Sequence, residues 1–139
     1  MEELYTKTVT IWNRLRGGTW EREQWFPTVI TNARLIISKG NNVLKSGLET
    51  ADTARLHISD SISVPDKPYV DPITWKNSPA THYTLESEEG SFFTEGDTSA
   101  EDTTESGFFE RIEQTYPACF RISKVDRFEV IPHFEVFGK

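Results

Sequence analysis

Apolar and polar residues alternate with a period of two over most of the chain. Tyr5, Lys7, Val9 and Ile11 alternate with Thr6, Thr8, Thr10 and Trp12, a β-branched and aromatic run that suits a half-buried strand. Asn13–Gly18 is rich in turn formers, and Gly17–Gly18 suits a hairpin connection to a partner strand over Thr19–Phe26, stopped by Pro27. Thr28–Ser38 alternates again, with Val29, Ala33, Leu35 and Ile37 on one face, and closes in a loop at Lys39–Asn42. Thr53–Ser59 reads as a short strand with Ala54, Leu56 and Ile58 on one side.

The second half is less regular. Residues 61–81 hold Pro65, Pro68, Pro72 and Pro79, too many for a helix or a central strand, so an extended surface excursion is expected, anchored by Tyr69, Ile73 and Trp75. Phe92–Phe93 and Phe108–Phe109 read as two strands joined by a long, solvated, mobile loop over 94–106. Ala118–Val125 and Phe128–Phe137 form a last pair, with Phe128, Val130, Phe134 and Val136 sharing a face and Pro132 at an edge or bulge. No stretch carries a 3.6-residue period beyond two turns. The pattern predicts a single β domain over 1–139. Its class is all-β, a small antiparallel β-barrel or sandwich with long loops and little or no helix. At 139 residues, such a domain has surface enough for one core and not two.

Charge changes this picture locally. The net charge is -7, but Glu86–Glu113 alone holds ten carboxylates and one base, Arg111, a net of -9. The remainder is +2, so the chain is a nearly neutral domain carrying one acidic segment. No Lys/Arg cluster exists of the kind that counterion release needs, which excludes a protein that coats nucleic acid. No apolar run approaches the ~18 residues of a membrane span, and Met1–Leu4 is acidic with no secretory apolar stretch behind it. The single Cys119 excludes an internal disulfide and a cysteine zinc site. A soluble protein of a reducing cytoplasm is expected, with no membrane partner.

Candidate chemistry is sparse. His57, His82 and His133 lie on presumed strands or strand ends without a second ligand at a recognisable spacing, so no metal site and no cofactor are expected. Cys119 has no histidine in a nucleophile context and reads as a buried, inert thiol. The carboxylates of the acidic segment match neither a rigid catalytic pair nor a calcium loop. No catalytic residue is assigned, and the chain is not expected to be an enzyme. Trp12, Trp20, Trp25 and Trp75 are candidates for a sugar-stacking platform. The competing reading pairs Trp12 with Trp20 across the first hairpin.

The overall layout resembles a known group. Thr8-Val9-Thr10-Ile11-Trp12-Asn13, the Trp-bearing hairpin and Thr28-Val29-Ile30 resemble small virion proteins of tailed bacteriophages of Gram-positive hosts, encoded among the head–tail joining genes. Ala54-Arg55-Leu56-His57-Ile58, leading to Tyr69, Pro72 and Trp75, is similar to that group's basic-apolar strand and Tyr-x-x-Pro-x-x-Trp segment. Thr84-Leu85 ahead of Gly96-Asp97 is similar to its Thr-Leu-x-x-Gly-Asp turn, with the Gly-Asp here displaced along the chain. The close, Phe120 to Arg127 and then Pro132 to Lys139, resembles its terminal hairpin, except that Asp126-Arg127 lacks an intervening Asn and Phe134 replaces a Trp.

The resemblance implies a head–tail connector or neck component of the head-closure or tail-completion type, present in the virion and in the host cytoplasm before assembly. It would form a homo-oligomeric ring against other head, neck and tail proteins, with DNA only passing through its channel. The alternatives are a minor tail protein or a carbohydrate- or receptor-binding β module. The interaction residues expected are Glu95, Asp97, Glu101, Asp102 and Glu105 in the acidic segment, and Asp126, Arg127 and His133 in the terminal hairpin. Three uses of the acidic loop stay open: repelling DNA from a channel wall, docking a basic patch on a neighbouring ring, or keeping free subunits apart.

Overall fold

The computed structural model describes residues 4–17, 22–39 and 52–139, with the backbone alone at 43–44 and 47–48. In chain order the elements are β1 (Lys7–Leu15), β2 (Gln24–Ser38), β3 (Val43–Leu44), β4 (Gly47–Leu48), β5 (Thr53–Ser59), β6 (Val64–Pro65), α1 (Pro72–Trp75), β7 (Phe92–Glu95), α2 (Phe108–Thr115), β8 (Cys119–Phe128) and β9 (His133–Gly138). The strand order β1-β7-β8-β9-β5-β2 returns to β1 through antiparallel ladders, so six strands close into a barrel and leave no open edge. The all-β expectation holds, and closure selects the barrel over the sandwich.

Strands with one face toward solvent keep the alternation read from the sequence. Ala54, Leu56 and Ile58 of β5 and Phe134, Val136 and Gly138 of β9 are buried at every second position. They meet Val9, Ile11, Ile30, Phe93, Phe120 and Ile122 in the barrel interior, and Tyr83 and Leu85 join the same cluster. Gly138 is there for space. A Cβ on it would lie 2.6 Å from the Phe120 Cβ and 2.9 Å from the Phe93 ring.

β1, β7 and the start of β8 at Cys119–Phe120 are covered on both sides. Trp12, Trp25, Phe92 and Cys119 face away from the interior and pack with Phe108, Phe109 and Ile112 of α2 in a second apolar layer. One sheet wall thus serves two clusters where a single core was expected. The anticipated strand at Phe108–Phe109 is instead this helix. Adjacent bulky residues that must both face one layer suit a helix, whereas a strand sends neighbours to opposite faces, as Phe92 and Phe93 do.

Proline placement accounts for two further differences. β2 runs unbroken through Pro27 because Val29, two residues on, turns its N–H and C=O outward to Asp66, so the N–H that Pro27 lacks would also point away from β1. Pro72, expected to exclude helix, occupies the first turn of α1, where its missing N–H costs nothing. Asp71 caps that turn through the Ile73 and Thr74 amides at 3.0 and 2.9 Å. Trp75 and Tyr69 anchor the excursion as expected: Trp75 is buried, and Tyr69 packs on Phe134 with ring centroids 4.7 Å apart. Ile73 does not, being 81% exposed.

The terminal hairpin turns at Glu129–Pro132, so Asp126 and Arg127 are strand residues of β8 and not the turn. Val130 leaves the face assigned to it with Phe128, Phe134 and Val136 and projects from the turn. At the other hairpin, β1 and β2 pair from Leu15↔Gln24, which sets Trp12 beside Pro27. Trp20 and Gly18, on which the cross-hairpin pairing and the tight turn rested, lie outside the described residues.

Two backbone positions have measurable consequences. Asn32 bends β2 with φ 55°, a left-handed value that Asn and Gly tolerate and β-branched residues do not. Asn32→Val is expected to cost about 1–2 kcal/mol in urea unfolding, and Asn32→Gly much less; equal costs would show that the bend carries no constraint. Gly138→Ala is expected to cost about 1–3 kcal/mol by overpacking, and an unchanged midpoint would contradict the close packing.

Candidate functional site

The expected interaction residues separate into two places. The acidic segment is not a mobile loop: it is strapped to the outer face of β1. Thr10 donates its hydroxyl to the Gly96 carbonyl at 2.8 Å and accepts the Thr98 amide at 2.9 Å. Thr98 is buried, accepts the Trp12 indole N–H at 2.9 Å, and lies 2.8 Å from the Thr94 hydroxyl. A run of Thr, Ser, Gly and acidic residues looks solvated in sequence, yet its Thr98 pairs with the Trp12 indole and the Thr10 hydroxyl on the outer face of β1.

Each carboxylate of the strap has its own local role. Glu95 faces Lys7 at 3.7 Å, and Asp97 accepts the Ser99 amide at 2.9 Å. Glu101 binds Arg111 at 2.9 Å and accepts the Tyr116 hydroxyl. Asp102 accepts the Thr104 hydroxyl at 2.7 Å and the Thr104 amide at 2.9 Å. Glu105 is exposed at the rim of an open groove of about 380 Å³, lined also by Arg14, Arg16, Arg22 and Trp25. The hydrogen bonds from Ser99, Tyr116 and Thr104 hold Asp97, Glu101 and Asp102 below the ordinary carboxylate range, with Arg111 assisting at Glu101.

The second place is the β8–β9 hairpin and the adjacent end of β5. Arg127 grips Asp60 through two hydrogen bonds of 2.8 and 2.6 Å and lies over the Phe134 ring, its guanidinium carbon 4.3 Å from the centroid. Asp126 pairs with Lys124 at 3.3 Å. His133 stacks on Phe128 with centroids 4.7 Å apart and planes 7° apart. Its Nδ1 lies 2.6 Å from the Ile131 carbonyl and its Nε2 3.2 Å from Glu135.

Sequence reasoning missed what surrounds His133. β5 pairs His57 with Glu135 and Ser59 with His133, so His57, His133 and Glu135 share the outer face. One ligand atom from each lies within 4.8 Å of the others. The His57 and His133 rings stack at 5.9 Å. Burial pushes the His57 imidazole below its ordinary range, Glu135 pulls it back, and Arg34, His133 and Arg55 push it down further. The alternating His133-Phe134-Glu135 string was a legible half of this cluster; the strand register that adds His57 was not. His82 stays apart, held by the Thr81 hydroxyl at 2.8 Å.

The other candidates fall inside the fold. Trp12, Trp25 and Trp75 are buried and offer no exposed stacking face. Cys119 is buried, and its thiol is pushed up to about 12, mainly by desolvation. Among the described residues, no helix is long and apolar enough to cross a membrane.

The chain belongs to a family of unknown function, DUF6751, whose model matches residues 4–139. No curated protein and no solved structure matches it.

The strap makes an acid-sensitive prediction. A carboxylate with a lowered folded-state pKa contributes stability that is fully present above its unfolded value and lost as pH falls through the folded one. Glu101, which ties the strap to Arg111 and Tyr116 at α2, is therefore expected to hold that contact down to about pH 4, the ordinary carboxylate range, and to release it below. Carboxyl NMR titration reads this directly. A Glu101 that titrates at or above the ordinary glutamate value contradicts it.

Proposed function

We propose that this chain is a structural, non-enzymatic component of a tailed-phage particle. In this reading it is a head–tail connector or neck protein of the head-closure or tail-completion type, made in the host cytoplasm and built into the virion. It assembles as a homo-oligomeric ring and docks on other head, neck and tail proteins. The observation that carries the reading is the tip of the β8–β9 hairpin, where Val130 is 99%, Ile131 68% and Phe128 41% exposed.

Single exposed apolar residues are ordinary on a protein surface, but Val130 and Ile131 together on a projecting turn, with Phe128 at its base, make a docking knob. The base of the knob is preorganised by the Arg127–Asp60 pair and by the Asp60 amide, which donates to the Pro132 carbonyl at 3.1 Å. A closed barrel leaves no strand edge for uncontrolled pairing, so assembly runs through such knobs. In a ring, one modest contact is repeated around the axis and gains strength by closure. The resemblance of Thr8–Asn13, Ala54–Ile58 and the terminal hairpin to head–tail joining proteins supports the same reading. The strap then presents an acidic face past which DNA slides without base-specific contact.

The test is the double variant V130E/I131E. It is expected to keep the far-UV circular dichroism of the parent while losing ring formation and incorporation into particles. Normal rings or normal incorporation would overturn the proposal, as would absence of the unmodified chain from purified particles.

A further inference from the structure

Beyond the assembly reading, and independent of it, we propose that His57, His133 and Glu135 form a divalent metal site for zinc or a similar late first-row ion on the outer face of the β5–β9 ladder. Two imidazoles and a carboxylate are a donor set such ions favour, and strand register places the three side chains on one face. A donor atom from each lies within 4.8 Å of the others, with His133 Nε2 and Glu135 Oε2 already 3.2 Å apart. Ligands about 2.1 Å from a tetrahedral ion sit roughly 3.4 Å from one another. Drawing the remaining donor in from at most 4.8 Å closes a gap of up to about 1.4 Å, within reach of side-chain rotation on half-buried groups.

Two features of the cluster point to a cation. The Nε2 of His57 is buried and has no hydrogen-bond partner. The Nδ1 of His133 faces the Ile131 carbonyl at 2.6 Å, which assigns the Nδ1 proton to that bond and leaves the Nε2 lone pair aimed at the Glu135 carboxylate. A lone pair and a carboxylate repel at this distance unless a cation lies between them. Histidine held by a backbone carbonyl through its other nitrogen is the usual second support of a metal-binding imidazole.

Charges of both signs surround the site, with Arg55 as well as Arg34 acting on His57. Arg34 neighbours His57 across β2, and Asp126 neighbours Glu135 across β8. An ion here would clamp β5 to β9 directly below the hairpin tip, since His133 is bonded to the Ile131 carbonyl and stacked on Phe128. The site has three protein ligands, and the remaining position is left to water or to a group from a docking partner.

The experiment titrates the purified full chain with zinc chloride by calorimetry, and with cobalt(II) to read its visible d–d bands. One equivalent is expected to bind with a micromolar dissociation constant and to raise the melting temperature. H57A and E135Q are each expected to weaken binding at least about tenfold, while H82A and C119S leave it unchanged. Glu135→Gln keeps the side-chain volume, and circular dichroism of the metal-free variants confirms that they fold. Absence of binding at millimolar zinc overturns the proposal and leaves a proton as the cation between His133 and Glu135. So does binding that survives the H57A/E135Q double variant, or that is lost in H82A or C119S.

Discussion

Barrel closure rests on one strand. β2 pairs with β1 over Gln24–Ala33 and with β5 over Arg34–Ser38, so a single chain segment forms the seam between two parts of the sheet. It changes partner at Asn32, where the left-handed backbone and a register shift against Lys7–Val9 insert an extra residue and turn the strand. The bend is held from outside: the Ser63 hydroxyl donates to the Asn32 carbonyl at 2.7 Å, and β6 pairs with Ile30 and Thr31. Without that turn, β5 could not lie beside both β2 and β9, and the interior shared by Phe93, Phe120 and Val136 would stay open on one side.

What the sequence made legible follows from what each strand faces. β5 and β9 have one wet face, so their alternation is clean; β5 has the bounds expected, whereas β9 starts at His133 and not at Phe128, which ends β8. β1 is dry on both faces because α2 and the strap cover Thr10 and Trp12, and its Thr-rich pattern gives no hint of that cover. The strap itself was misread because its composition is that of a solvated loop. Its order comes from buried hydroxyls, Thr98 above all, whose partners lie more than eighty residues away. A helix of little more than two turns offers too short a period to stand out, and the adjacent aromatics of α2 imitated the Phe92–Phe93 strand.

The candidate site shows the same limit. His133 was singled out, and the structure gives it four distinct contacts: Phe128, Ile131, Glu135 and His57. Only Glu135 was within reach of a local reading. The position of His57 is a consequence of β5 lying beside β9, a pairing between segments that no local pattern connects. Val130 was read as sharing a face with Phe128, Phe134 and Val136 because it is apolar and in phase with them, and Ile131 beside it was not singled out. Their exposure follows from the turn that Pro132 ends, four residues wide, which lifts both side chains clear of the barrel.

The closed strand order also sets how the chain must reach this state. Two of the six barrel ladders are hairpins, β1–β2 at one end and β8–β9 at the other. These hairpins can form early, but β7 and β5 bridge them only after long segments have been brought together, which makes closure slow and concerted. Until then Phe93, Phe120 and Val136 have no shared interior to enter, and each hairpin presents a sticky face to other chains. Conditions that favour dilute, unhurried refolding should therefore matter more for obtaining this protein than any single interaction within it.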